Sequence, residues 1–204
     1  MAGFGFRRFR GTAYRATTYD TPVWVRPNRR PGRWSRPRDK VVAQYCCLDP
    51  AAPYAEFVRS EDLQEEEAAE ARIGLWQLRI TEGAVLDISS EEHADELGLD
   101  WAALTSDDWS YCQELTGRVL DQGGRGVIAP SAALPGSSSL VLFGPRSELV
   151  WGLHPRLSIQ VPARELVSGA PRPGLIRATR RHGDPFPTEV APEPVEHLLD
   201  PIEG

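Results

Sequence analysis

The chain has 204 residues, 41% of them hydrophobic and 25% charged, which suits one domain with a full core and some tail. Its net charge of −6 hides a division: residues 1–40 carry eleven basic side chains against Asp20 and Asp39, whereas residues 41–204 carry 27 acidic against twelve basic. No apolar run is long enough to span a bilayer, and the N-terminal MAGFGFRRFRG has no apolar core of a secretion signal, so neither a membrane protein nor a secreted one is expected.

Arg10–Tyr19 alternates polar with β-branched or aromatic residues and predicts an opening strand. Asp20–Arg38 is too rich in proline and arginine for a regular element and reads as a loop. The β-branched run Val41–Tyr45 predicts a buried strand. Asp49 as N-cap and Pro50 at the first helical position predict a helix over Pro50–Arg59, with Glu56 two turns into an apolar stretch. Asp62 and Glu65 have the spacing of a capping box, opening a short acidic helix to Arg72. Trp76, Leu78 and Ile80 alternate with polar residues as a half-buried strand, and Ala84–Ile88 reads as a short extended piece.

Ser89 with Glu92 predicts a helix that ends at Gly98, and Thr105 with Asp108 predicts another. In the second, Trp109, Cys112, Leu115, Val119 and Leu120 form one apolar stripe. Strands are expected at Gly126–Ala129, Ser139–Gly144, Glu148–Leu153 and Leu157–Val161. From residue 169 on, proline, arginine and glutamate dominate without an apolar period, which predicts a mostly irregular tail over 169–204. The order of elements indicates a mixed α/β domain, α+β-like, rather than regular βαβ winding.

Several chemistries have no signature here. The chain lacks a G-x-S-x-G elbow, a Walker A loop, an HExxH helix and the dinucleotide-binding G-x-G-x-x-G. His93, His154, His182 and His197 are not spaced as ligands, so no metal is expected. Three cysteines, two of them adjacent, do not make a disulfide framework, which suits a reduced cytoplasm.

Six fragments in order carry a resemblance: YR at Tyr14–Arg15, GRWS at Gly32–Ser35, VVAQY at Val41–Tyr45, AEF at Ala55–Phe57, GVIAPSA at Gly126–Ala132 and VLFGPR at Val141–Arg146. Together they resemble the RES domain family, named for Arg, Glu and Ser, over about Phe6–Leu166. Ser35 stands where the family more often has asparagine. The resemblance implies a RES-like catalytic domain over 6–168, a single compact unit similar to the ADP-ribosyltransferase fold, with a mixed twisted sheet and flanking helices. It implies a bacterial toxin that destroys NAD⁺ by phosphorolysis or hydrolysis, or a protein ADP-ribosyltransferase using the same site. It also implies an Xre-type antitoxin as partner, in an oligomer with the toxin.

Cleaving the nicotinamide–ribose bond builds positive charge on the ribose, as in glycoside cleavage, and a nearby carboxylate stabilises that charge. Glu56 is the candidate. Arg15 and Arg33 match the family's cationic positions and would hold the pyrophosphate or incoming inorganic phosphate. Tyr45 would stack on nicotinamide or bond a ribose hydroxyl, Trp34 sits beside the site, and Ser131 would orient nicotinamide or phosphate. Each has a structural alternative: Arg15 and Arg33 could pair with the acidic helix, Tyr45 could be core, Glu56 a solvated helix residue and Ser131 a turn cap. A nucleic-acid binder using the basic segment is the reading from another class. It lacks RNP motifs, zinc spacing and a helix-turn-helix.

Overall fold

The computed structural model of the chain describes residues 3–17, 22–23, 26, 29–39, 41–145, 154–162, 175–187 and 199–201. The expected strand at Glu148–Leu153 lies outside them. Seven strands make one sheet: β1 (Phe6–Thr17), β2 (Ala43–Cys47), β3 (Arg72–Asp87), β4 (Gly126–Pro130), β5 (Ser138–Phe143), β6 (His154–Pro162) and β7 (Leu199–Pro201). β3 is hydrogen-bonded to β1 as well as to β4, so β1, β3, β4, β5 and β2 close into a ring. β6 adds to β3 and β7 to β1, outside that ring. Closure removes the exposed edges that an open sheet would present.

Period-two alternation assigns the two faces of the ring. Phe9 and Ala13 of β1, Cys46 of β2, Leu78 and Ile80 of β3, Ile128 of β4, and Leu140 and Leu142 of β5 form the cluster enclosed by the five strands. The outward-facing Ala43, Val127, Ala129, Val141 and Phe143 meet the helices instead. These are α3 (Glu91–Glu96), α4 (Trp101–Thr105) and α5 (Ser110–Asp121), with Leu99, Leu104, Cys112, Leu115 and Val119 completing the layer. A third cluster lies under α1 (Ala52–Ser60) and α2 (Glu65–Glu70), built on Tyr54, Ala55, Val58, Ile73 and Leu134. The result is a mixed α/β domain with a sheet and flanking helices, as expected. All three cysteines are buried and unbridged.

The helix starts differ from the sequence reading by one to four residues, for local reasons. Asp49 accepts from the Ala51 N–H at 2.7 Å in a turn that precedes α1, so the helix starts at Ala52 and Glu56 lies one turn in. Asp62 does not open α2. With φ of +51° it closes α1 in a Schellman arrangement, the Leu63 N–H donating to Val58 O at 3.0 Å and the Asp62 N–H to Arg59 O at 3.3 Å. The capping box of α2 is Gln64 with Glu67. α3 is capped by Ser90, while Ser89 donates to Asp87. α4, five residues capped by Asp100, takes Thr105 as its last residue, and Asp108 receives the Ser110 N–H ahead of α5. The two strand pieces expected between Trp76 and Ile88 are one strand of sixteen residues.

From residue 169 on, the described parts are α6 (Leu175–Ala178), residues 179–187 and β7. Residues 175–187 dock against α1, with Leu175 buried in the cluster beneath it.

Candidate active site

β1 and β2 meet in register only at Tyr14↔Cys47. Past that couple their pairing stops, and a cavity of about 390 Å³ occupies the wedge. Arg15, Ala16 and Thr17 form one lip and Tyr45, Cys46 and Cys47 the other, while Pro53, Glu56 and Phe57 of α1 overlook it. Arg33 and Trp34 close the far side. The volume lies in the usual range for small-molecule sites.

Five of the six residues singled out from sequence, Arg15, Arg33, Trp34, Tyr45 and Glu56, line this one cavity. Ser131 is the sixth, and the structure places it behind the wall. It is fully buried at the end of β4 and its Oγ donates to Glu56 Oε1 at 2.9 Å. The same oxygen accepts from the amides of Ala133 (3.3 Å) and Leu134 (3.1 Å), which fixes the direction of its proton. Ser131 therefore orients the carboxylate. Glu56 is half-buried, neither a solvated helix residue nor core.

The cationic side is held just as firmly. Arg15 is 6% exposed and donates to Gln44 Oε1 at 2.9 Å. Burial pushes its guanidinium below the ordinary arginine value, so an anion placed beside it would relieve the desolvation. Arg33 Nη1 donates to the carbonyls of Leu104 (3.0 Å) and Ser106 (2.7 Å) at the end of α4. Those carbonyls, not the acidic helix α2, orient it.

Tyr45 is the hinge pin of the turn that carries Arg33. Its hydroxyl accepts from the Trp34 N–H at 3.1 Å and lies 3.3 Å from Ser35 Oγ. Ser35, itself buried, thus shares the Tyr45 hydroxyl with the Trp34 amide. Burial pushes the Tyr45 phenol up, partly opposed by the hydrogen bonds from Ser35 and Trp34. The turn is also tied to α5: Gln113 Nε2 donates to Gly32 O (2.9 Å) and Thr116 Oγ1 to Trp34 O (3.1 Å). Cys47 lies on the cavity wall, and burial, followed by the charge of Glu56, pushes its thiol well up, which favours the protonated form.

Glu56, fixed by a buried hydroxyl, thus shares a cavity with two guanidinium groups and three aromatic side chains, Trp34, Tyr45 and Phe57. The RES domain family model matches residues 6–159 of the chain. The chain belongs to the RES domain family.

This RES domain is similar to a protein of Mycobacterium tuberculosis named a probable NAD(+) phosphorylase. The two are 29% identical over 174 residues, a span that takes in 85% of this chain and 76% of that one. It is also similar to a chain in the crystal structure of the M. tuberculosis MbcT–MbcA toxin–antitoxin complex. That match has a TM-score of 0.65 and 25% identity, over 79% of this chain and 90% of the other.

Three residues that the sequence reading passed over support the RES site from outside. Arg59, one turn after Glu56 on α1, is 4% exposed, a rare state for arginine and the only signal the sequence offered was its place in an apolar helix. Its Nη2 is hydrogen-bonded to Asp107 Oδ1, and Arg180 Nη1 reaches the same oxygen at 3.0 Å.

Proposed function

We propose that this RES domain is the toxin of a toxin–antitoxin pair and destroys NAD⁺ by breaking the bond between nicotinamide and ribose. The observation that carries the reading is Glu56, held by Ser131, in the same cavity as Arg15 and Arg33. The name of the M. tuberculosis phosphorylase supports the substrate, and the toxin–antitoxin complex supports the biological role.

In this mechanism Arg15 and Arg33 hold the pyrophosphate, with Tyr45 and Trp34 against the nicotinamide ribose. As the C–N bond breaks, its electron pair leaves with nicotinamide, whose ring nitrogen becomes neutral. The ribose carbon turns cationic, and Glu56 stabilises it more in the transition state than in the substrate. Phosphate then bonds to that carbon to give ADP-ribose 1″-phosphate; water in its place gives ADP-ribose and a proton. Two carboxylates line the cavity, and Glu56, half-buried and held by Ser131, rather than the exposed Glu61, is the group that answers the developing charge. The five-strand ring with flanking helices is, in this reading, a variant of the ADP-ribosyltransferase architecture. The partner is a DNA-binding antitoxin of Xre type in the same cytoplasm. No helix among the described residues is long and apolar enough to cross a membrane.

Chromatography of NAD⁺ incubated with the protein, with and without inorganic phosphate, tests the reaction. Nicotinamide should appear with ADP-ribose 1″-phosphate when phosphate is present, and Glu56→Gln should abolish it with the fold intact. Undiminished turnover by Glu56→Gln would remove the assignment. Transfer to a protein side chain is the second reading of the same site, since the first half of the reaction is shared; label from adenylate-labelled NAD⁺ appearing on protein would favour it.

A further inference from the structure

Residues 104–107 touch both sides of the cavity without lining it. The carbonyls of Leu104 and Ser106 receive Arg33. The next residue, Asp107, turns the other way and receives Arg59, Arg180 Nη1 and the Gly183 N–H on its two carboxylate oxygens. Arg59 lies one helical turn from Glu56 and also donates from Nη1 to the carbonyls of Arg180 and Arg181, both at 2.8 Å. Arg180 in turn spans to the loop after β4: its N–H donates to Ala133 O at 2.8 Å and its Nη1 to Ala132 O at 3.3 Å. That loop begins with Ser131, which holds Glu56. Phe186 closes the strap by packing edge-on against Trp101 of α4, ring centroids 6.0 Å apart.

Two side chains that must act together across the cavity are thus connected through one half-buried acceptor. A bare structural ion pair would need only one of these arginines. Here the aspartate joins the segment that aims Arg33 to the helix and the loop that aim Glu56. We infer that Asp107 is a positioning residue, which sets the placement of Glu56 relative to Arg33 by clamping residues 179–187 onto α1 and the Ser131 loop. The inference rests on the proposed NAD⁺ cleavage at Glu56 for its kinetic consequence, though not for its structural one. Misplacement of reacting groups by about an ångström costs roughly a hundredfold in rate, so loosening the clamp acts on kcat more than on KM.

The experiment takes the full chain with Asp107→Ala, Asp107→Asn, Arg180→Ala and the double variant Asp107→Ala/Arg180→Ala. Nicotinamide release is measured well below each variant's own melting temperature, together with amide hydrogen exchange. Asp107→Ala should lower kcat at least about tenfold while KM rises no more than severalfold, Asp107→Asn should restore part of it, and the double variant should add little to the single ones. Exchange should quicken at Ala133 and Leu134 and in the Gly32–Arg36 turn, while amides in β3 and β4 stay protected. An unchanged kcat in folded Asp107→Ala, or additive losses in the double variant, would overturn the inference. So would faster exchange confined to residues 179–187, a result that stands even if the wild-type protein releases no nicotinamide. Absence of release by the wild type would count against the proposed reaction alone. If Asp107→Ala does not fold, Asp107→Asn and Arg180→Ala give the same two readouts.

Discussion

Replacing Ser131 by alanine removes three hydrogen bonds at once, and they divide cleanly between catalysis and stability. The first is the donation to Glu56 Oε1 at 2.9 Å, a bond to a charged acceptor, worth about 1.5–3 kcal/mol. Alanine leaves the carboxylate without its buried donor, and the orientation it enforced is lost where it matters, in the transition state. At about 1.36 kcal/mol per factor of ten, kcat/KM for nicotinamide release should fall about 10- to 150-fold. The other two are acceptances from the Ala133 and Leu134 amides, at 3.3 and 3.1 Å. Buried donors left without an acceptor cost about 1–3 kcal/mol, which for a domain of this size is a few degrees in Tm. Chromatographic measurement of nicotinamide release against NAD⁺ concentration, with thermal melts alongside, separates the two. A Tm loss with kcat/KM within twofold of wild type would make Ser131 a turn cap and nothing more, and the reasoning about Glu56 would fail with it.

Gly32→Ala should disable the site through Tyr45. A Cβ at Gly32 would stand 2.5 Å from the Tyr45 hydroxyl, so the phenol must swing away and release the Trp34 N–H. KM for NAD⁺ should rise severalfold because the turn that presents Arg33 is loosened; unchanged kinetics would show that Tyr45 does not hold it. Asp107 gives a pH signature. Its partial burial would raise the carboxyl, but the Gly183 N–H, with Arg59 and Arg180, more than reverses this and brings it from 3.8 to about 2. A carboxyl lowered in the folded state contributes stability above its unfolded value and loses it as pH falls. The Tm gap between wild type and Asp107→Asn should therefore be full at neutral pH and close between about pH 4 and 2. A gap that stays constant over that range would refute the clamp's ionic character.

What the sequence revealed was the identity of the site's residues, and what it hid was how they are held. The strand at Gly126–Ala129 and the Cys112, Leu115 and Val119 part of the α5 stripe follow from short-period burial, which needs no distant partner; Leu120, expected in that stripe, is 38% exposed, Trp109 stands at the N-cap, and the strand expected at Val41–Tyr45 runs over Ala43–Cys47. Arg15, Arg33, Trp34, Tyr45 and Glu56 were legible because ordered fragments resembled a family, and the fold gathers them into one cavity. Ser131's role was not legible, since the direction of a hydroxyl proton depends on the amides of Ala133 and Leu134 behind it. Asp107, Arg59 and Arg180 were invisible for a different reason: their contacts span 48 to 121 residues and leave no period in the chain. Helix starts slipped because several Asp, Ser and Thr residues stood near each end, and only backbone geometry chose Asp62 as the end of one helix rather than the start of the next.

Past Tyr14 the backbone of the arginine lip runs in register with β3, while the Arg15 side chain crosses to Gln44 of β2. Arg15 is registered with Trp76, Ala16 with Leu75 and Thr17 with Gly74, all on β3, and none of those three partners is on the cavity wall. The lip therefore travels with a strand that has no chemistry of its own. Substitutions at positions 74–76 would move the lip from outside the pocket, without changing a residue of its wall.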